Sequence, residues 1–360
     1  MYLVLAQALV TNVRLMCHVC SNCQLWAGRV AISILPDDVL LQVFCYDRLA
    51  YLDRRKNDVN RRRRSWDWYR LVHVCRRWRS VVFSWPKFLD LKLVCGPGTR
   101  VGLTSIWPPL PIIIRNMVDS RMPNDYDFDA ATVRHNRVCE VNLLRLTSSQ
   151  LQRLASAMRT QFPALIHLKL DASGPASALP DEFLGGSAPR LRTLGLQSIP
   201  FPALPKLLLS ATSLVRLTLW NIPHSGYMSP EAIVTDLAVL ANLEYLTLGF
   251  GSPLSLPNLE SRLPLSPIRT VLPALTRFKF QGVSEYLEVL VAQIDAPLLE
   301  SIYCAFFHQL TLDIPQLTQF MERMMLECEM GHDTSLLRHV IGTRRGRTIR
   351  LPSTQQINKV

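Results

Sequence analysis

The chain has 360 residues, of which 48% are apolar and 19% are charged, and its formal net charge is +12. This length predicts about two or three domains, and the apolar content is enough for most of the chain to fold around sizeable cores. No apolar run is long enough to span a bilayer, and the apolar start of the chain lacks the basic residues and cleavage site of a signal peptide. The composition therefore favours a folded protein over a membrane or secreted one.

The nine cysteines favour a reducing compartment, the cytoplasm or the nucleus. Six of them lie in apolar periodic segments, where a free cysteine acts as a small hydrophobic residue. The other three, Cys17, Cys20 and Cys23, have the spacing of metal ligands, but no fourth ligand follows at matching spacing. We therefore expect residues 1–32 to be a poorly ordered leader with reduced thiols, and we expect no metal or other cofactor.

Residues 34–44 predict a short amphipathic helix. Pro36 suits its first turn, because a proline lacks the N–H group that would stay unpaired there. Asp37 and Asp38 add negative charge at the positive end of the helix dipole. Three- and four-residue spacing then gives one apolar face, made of Leu40, Val43 and Phe44.

Residues 71–82 predict a second amphipathic helix. Its apolar residues recur at helical spacing: Leu71, Val74, Cys75, Trp78, Val81 and Val82. The opposite face is basic and consists of Arg70, Arg76, Arg77 and Arg79. Both helices are too short to be stable alone, so each must pack against other elements.

In this order, the two segments resemble the F-box, a three-helix module that binds the Skp-type adaptor of cullin ubiquitin ligases. The resemblance covers residues 33–85, and we assign residues 33–90 to an F-box-like domain. It implies that the adaptor is bound by Leu35, Pro36, Val39, Leu40, Val43, Phe44, Cys75 and Trp78. Residues 50–66 form a basic insertion that is longer than the usual link between the helices. The position of the middle helix of the module is therefore left open. The alternative is a pair of ordinary core helices in a larger domain.

Two basic clusters stand out in the charge pattern. Residues 54–64 contain seven lysines and arginines, and four more arginines lie between Arg344 and Arg350. Such clusters are typical of a nuclear-import signal or a nucleic-acid patch, but a solvated loop has the same composition. Between the helices and the second half of the chain, residues 88–94 alternate like a strand, and we assign residues 91–135 to a linker or first strands.

The motif L-x-x-L-x-L, with other apolar residues at some positions, recurs seven times in the second half of the chain. Its copies start 23 to 32 residues apart, at Val138, Leu165, Leu191, Leu214, Leu243, Leu275 and Leu299. Helical patterns lie between the copies. The expected N-terminal cap is Ser148 or Ser149 for one helix and Ser229 for another, and Ser284 precedes a third helical pattern.

This alternation of strand, loop and helix resembles the leucine-rich repeat, and residues 33–325 as a whole resemble fungal F-box/leucine-rich-repeat proteins. The resemblance implies an α/β fold in which residues 136–330 form an irregular solenoid with parallel strands. Each repeat cannot bury its own apolar face, so neighbouring repeats must stack. Residues 331–360 are expected to be a basic, polar tail.

No signature of a phosphate-binding loop, a hydrolase nucleophile or a metalloprotease appears, so the sequence favours a binding protein over an enzyme. In each motif the leucines point inward, and the residues between them point to the concave face. The expected target-binding residues are His167, Lys169, Arg216, Trp220, Tyr245, Arg277, Lys279 and Tyr303. Arginine, lysine and aromatic residues in one row suit an acidic or phosphorylated peptide.

The leading hypothesis is therefore a non-catalytic substrate adaptor of an SCF-type ubiquitin ligase. Its partners would be the Skp-type adaptor and an unidentified target protein, without a membrane and without nucleic acid. The alternative is a basic scaffold protein of the nucleus that associates with nucleic acid through the arginine clusters and has no ligase role.

Overall fold

The computed structural model describes residues 35–57, 68–96, 108–116, 134–174, 177–252, 269–307, 314–324, 326–332 and 337–344. The expected leader with its three cysteines, most of the basic insertion and the last arginines lie outside these residues. The chain divides into two compact units. The first comprises residues 1–94 and 100–112, and the second comprises residues 95–99 and 113–360.

The described part of the first unit contains three helices: α1 (Asp37–Asn57), α2 (Tyr69–Val72) and α3 (Arg76–Ser84). Helix α1 begins as expected, since the Leu40 amide donates to the Pro36 carbonyl at 3.1 Å and the first turn is acidic. It then continues through Asn57, so the part of the expected basic insertion that comprises residues 50–57 is helical. Without a proline or glycine in this stretch, nothing in the local sequence ends the helix.

The single helix expected over residues 71–82 is divided in two. Cys75 adopts an extended conformation and caps α3, and its Sγ accepts a hydrogen bond from the Trp78 amide at 3.5 Å. The strand expected over residues 88–94 is also shorter, because β1 covers only Leu93–Cys95. The preceding residues form turns in which the Leu91 amide donates to the Pro86 carbonyl and Asp90 has a φ of 49°.

The core of the first unit brings all three helices together. The rings of Phe44 and Trp78 meet edge to face, with centroids 4.8 Å apart. The Trp68 indole N–H donates to the Lys92 carbonyl at 2.9 Å, which satisfies its polar group inside an apolar core. The buried members of this core are Leu40, Phe44, Trp68, Leu71, Val72, Trp78, Val81, Val82, Leu89, Leu91 and Leu110.

The second unit is an α/β structure around one large sheet. Its long strands are β3 (Val138–Leu146), β4 (His167–Ala172), β5 (Thr193–Gln197), β6 (Arg216–Ile222), β7 (Tyr245–Phe250), β9 (Arg277–Gly282) and β11 (Ser301–Phe307). Shorter strands are β2 (Ile112–Arg115), β8 (Thr270–Val271) and β10 (Ile294–Asp295). The helices are α4 (Ser148–Ala157), α5 (Leu204–Ser210), α6 (Pro230–Leu237), α7 (Ser284–Ala292) and α8 (Pro315–Arg323).

The seven expected motif strands lie side by side in chain order, each parallel to the next. Equivalent motif positions are in register across the sheet: Leu168, Leu194, Leu217, Leu246, Phe278 and Ile302. All six side chains are buried. The prediction of an α/β fold with a large parallel sheet is therefore confirmed.

Every motif also enters its strand through the same turn. The amide of the first motif leucine donates to the carbonyl three residues earlier, as in Leu165 to Phe162 and Leu191 to Ala188. The carbonyl just before a strand then accepts two amides from the start of the next, as Arg192 does from Val215 and Arg216. This repeated pattern keeps the starts of neighbouring strands in register.

The caps of the helices differ in part from expectation. Ser229 caps α6 as predicted, and its hydroxyl accepts a hydrogen bond from the Ala232 amide. Helix α4, however, is capped by Thr147, which forms a reciprocal capping box with Gln150. Ser284 is the first residue of α7 and is not its cap. The start of α8 is capped by Glu288 of α7, whose carboxylate accepts hydrogen bonds from the Gln316 and Leu317 amides at 2.7 and 2.8 Å.

The last two strands of the sheet are added by antiparallel pairing. Strand β13 (Leu337–Arg344) lies between β11 and β12 (Leu326–His332) and is antiparallel to both. Residues 331–360 were expected to form a polar tail, which was wrong for residues 331, 332 and 337–344. An edge strand has unpaired backbone groups, and β13 supplies partners for those of β11.

Candidate functional site

The outward side chains of the central strands form a polar strip, defined here as Arg216, Trp220, Tyr245, Arg277, Lys279 and Tyr303. It crosses strands β6, β7, β9 and β11. Tyr245 on β7 is in register with Arg216 on one side and Arg277 on the other. Lys279 and Tyr303 are paired one pleat further along. The alternation of buried and outward residues thus places six of the eight expected target-binding residues together.

The first cluster of the strip is a ring between two guanidinium groups. The Cζ atom of Arg216 lies 4.4 Å from the centroid of the Tyr245 ring, and that of Arg277 lies 5.3 Å from it. A guanidinium over an aromatic ring is attracted by the electrons of the ring face. Tyr245 therefore holds two positive groups near each other, while the N–H groups of an arginine can still bind an anion in a bidentate manner.

The second cluster is an amine between two aromatic rings. The Nζ atom of Lys279 lies 4.4 Å from the centroid of Trp220 and 5.2 Å from that of Tyr303. The Trp220 ring lies across Gly249 of β7, because a Cβ atom at that glycine would be 2.5 Å from Cε3 of the ring. Only glycine leaves the space in which this tryptophan reaches Lys279.

In the part of the chain that the structure describes, the positive charges of the strip are not balanced by carboxylates. Within the described residues, none of Arg216, Arg277 and Lys279 forms an ion pair. Burial lowers the pKa of Lys279, because its charged form loses solvation. The strip is thus a positively charged surface with aromatic walls, suited to an anionic group.

The other two expected target-binding residues, His167 and Lys169, lie on β4, two strands away from β6. The His167 Nδ1 is 3.1 Å from the Thr193 hydroxyl. Lys169 lies near Asp171, whose pKa is raised by burial and lowered in part by that lysine. Neither residue joins the two clusters of the strip.

The expected adaptor-binding residues of the first unit fall into two groups. Leu40, Phe44 and Trp78 are at most 5% exposed and belong to the core, and Leu35 packs against that core. Pro36 and Cys75 are exposed, and Val39 and Val43 are half-buried. The Arg77 guanidinium binds the Asp37 carboxylate and the Leu35 carbonyl, which ties the start of α1 to α3.

Helix α1 carries a second apolar face, of which the sequence predicted Val39 and Val43 as binding residues but not Tyr46 and Leu49. We define the outer stripe of α1 as Val39, Val43, Tyr46 and Leu49. These residues are spaced by four, three and three positions, and none of them belongs to the core of this unit or packs against it. Tyr46 is 43% exposed and Leu49 is 50% exposed. The helical spacing of the four residues was visible in the sequence.

The chain matches no protein-family model, no curated protein and no solved structure. The two surfaces are therefore interpreted from their own residues.

A groove of about 560 Å³ lies where the central strands begin. It was not expected from the sequence. Its polar walls come from residues that precede successive strands, namely Arg190, Arg192, Ser213, Asn242 and Glu244. It holds both positive and negative side chains, so its charge is more balanced than that of the polar strip.

The described residues contain neither a metal-binding cluster nor a membrane-spanning helix. No group of three or more histidine, cysteine, aspartate or glutamate residues could hold a metal ion there. None of the helices in that part of the chain has the length and apolar character needed to cross a bilayer.

Proposed function

We propose that this protein is a non-catalytic substrate adaptor of an SCF-type ubiquitin ligase, located in the cytoplasm or nucleus. The first unit would bind the Skp-type adaptor as an F-box does, and the second would hold a target protein on the polar strip. The observation that carries this proposal is the outer stripe of α1. A stripe of this kind on an F-box-like helix is what a partner subunit would cover.

Exposing the outer stripe to water is unfavourable in free energy if the first unit has no partner. Phe44 and Tyr46 lie two positions apart, about 200° round the helix, so α1 presents apolar side chains on opposite sides. A helix with one apolar stripe is satisfied by its own core, whereas a second stripe requires a second surface. Burying a side chain of this size stabilises a complex by about 1.5–3 kcal/mol, so the exposed pair Tyr46 and Leu49 could anchor a specific interface.

The second unit supports the leucine-rich-repeat interpretation. Successive strands are parallel, their leucines are in register, and the same turn precedes each strand. Repeated units of this kind stack by burying equivalent apolar faces, and their outward strand residues form a continuous binding surface. A target held on the polar strip would be brought near the ubiquitin-carrying subunit, so the adaptor needs to supply no catalytic group.

The proposal is tested by binding of the full chain to a purified Skp-type adaptor. Wild type is expected to form a complex, and Tyr46→Asp/Leu49→Asp is expected to weaken it by at least about 100-fold, since two buried anchors become charged. The matched control is Leu209→Asp on α5, which changes an apolar side chain that is 59% exposed and lies outside the first unit.

Circular dichroism would establish that both variants keep the wild-type helix content. A wild-type chain that does not bind the adaptor would overturn the proposal, and so would a double variant that binds as well as the control.

A further inference from the structure

The three positive groups of the polar strip converge over one strand, β7. Arg216 and Trp220 come from β6, and Arg277 and Lys279 come from β9, which are the two neighbours of β7 in the sheet. The contact between Lys279 and Trp220 therefore crosses β7, as does the arrangement of both arginines over Tyr245. The outward residues of β7 beyond Tyr245 are Thr247 and Gly249, which are small.

We define the trough as the outward surface over β7, where the Tyr245 ring and the Trp220 ring across Gly249 lie beneath positive groups at two levels. The first level holds Arg216 and Arg277, and the second holds Lys279. Arg277 and Lys279 are two residues apart on β9, so their Cα atoms are separated by about 6.7 Å along the strand direction. An extended peptide has the same repeat, and its side chains two residues apart point to the same side.

We propose that the trough binds an extended peptide segment that carries two anionic side chains two residues apart. The first anion would accept hydrogen bonds from the guanidinium groups of Arg216 and Arg277, and the second would pair with Lys279. This assignment rests on the proposed function, because it specifies the target that the second unit would hold. Carboxylates and phosphate esters share the required chemistry, an oxygen anion that accepts charge-assisted hydrogen bonds.

A peptide fits this trough better than a nucleic acid does. Binding proteins for single strands leave aromatic ring faces open, so that bases can stack on them. Here Tyr245 has a guanidinium within 5.3 Å on each neighbouring strand, and Trp220 lies against both Gly249 and the Lys279 amine. Bases could stack only by displacing the same cations that would bind their phosphates.

The test uses the full chain and fluorescein-labelled twelve-residue peptides of serine and glycine, measured by fluorescence anisotropy. One peptide carries two glutamates two residues apart, and a second carries them at adjacent positions with the same net charge. We expect the first to bind at least about tenfold more tightly, because adjacent side chains of an extended peptide point to opposite sides. Equal affinities would overturn the proposal.

A third peptide, with phosphoserine at the first of the two positions, distinguishes the two sources of the anion. Tighter binding of the phosphopeptide would assign the first level to a phosphate, and weaker binding would assign it to a carboxylate. A labelled twelve-nucleotide thymidine strand is the competing probe. If that strand bound more tightly than every peptide and displaced them, the trough would be a nucleic-acid site and the proposal would fail.

Variants of the trough locate the binding. Arg277→Gln and Lys279→Gln are each expected to weaken the two-glutamate peptide by about tenfold or more, since each removes one charge-assisted bond. Arg190→Gln, outside the trough, removes the same charge and is expected to change little. Gly249→Ala should weaken binding as well, because the added Cβ would displace the Trp220 ring that positions Lys279.

The outcomes separate the two proposals. A chain that binds the Skp-type adaptor but no peptide would refute the trough and leave the adaptor function standing. A chain that binds the peptide but not the adaptor would refute the function and leave the trough standing.

Discussion

Replacing Phe44 by alanine distinguishes a core residue from a docking residue on the same helix. Phe44 is 1% exposed, and its ring meets that of Trp78 edge to face. Its removal deletes a buried aromatic ring and leaves a cavity, which costs about 3–5 kcal/mol of unfolding free energy. The matched variant Tyr46→Ala is two positions away on an exposed face and should cost less than about 0.5 kcal/mol.

Hydrogen exchange measured by mass spectrometry on the full chain localises this effect. A loss of about 3–5 kcal/mol is a large part of the 5–15 kcal/mol typical of a domain, so amides in residues 37–57 and 76–84 should exchange much faster in Phe44→Ala. Those amides should be unchanged in Tyr46→Ala. Equal exchange in the two variants would refute the assignment of Phe44 to the core and of Tyr46 to a free face.

Three further predictions concern the second unit. Burial raises the pKa of Tyr286 well above its usual range, so the neutral phenol stabilises the fold below pH about 10, and this contribution is lost as the pH rises further. Tyr286→Phe removes the hydrogen bond to the Met228 carbonyl and should lower the free energy of unfolding by about 1–2 kcal/mol at pH 7. It should also flatten the alkaline part of a plot of urea midpoint against pH. Thr147→Ala should cost about 1 kcal/mol in urea unfolding and Ser148→Ala less than about 0.5, and the reverse order would contradict the assigned cap. Glu288→Gln should cost about 1–3 kcal/mol and speed hydrogen exchange at the start of α8, because its carboxylate holds two amides there; unchanged exchange would contradict that role.

The strand repeat could be predicted because its signal is local and periodic. Apolar residues at positions one, four and six of each motif are buried whichever neighbour they meet, so spacing alone indicated parallel neighbouring strands, which pair Leu194 with Leu217. The final antiparallel pair could not be predicted in this way. Neither β12 nor β13 carries the motif, and the pairing of β13 with β11 depends on the unpaired edge of that strand.

Helix boundaries were less predictable than helix positions. Arginines and lysines are good helix formers, so a basic run can continue α1 as readily as it can form a loop. The cap of α4 was misplaced by one or two residues, because Thr147, Ser148 and Ser149 are all acceptable caps by type. The choice of Thr147 depends on the reciprocal bond that only Gln150 is placed to make.

The candidate site was predictable as a face but not as a trough. Alternation along a strand shows which side chains point outward, and this placed Arg216, Tyr245 and Lys279 on one surface. It does not show in which direction a long side chain leans across its neighbours. That Lys279 meets Trp220 depends on Gly249, a residue of the strand between them, which has no side chain to signal its role.

The most direct test of the account is hydrogen exchange of the full chain with and without a purified Skp-type adaptor. The account predicts slower exchange in residues 37–57, where the outer stripe of α1 would be covered, and unchanged exchange in β6, β7 and β9. Protection confined to the strands of the polar strip, or no protection anywhere in the chain, would contradict it.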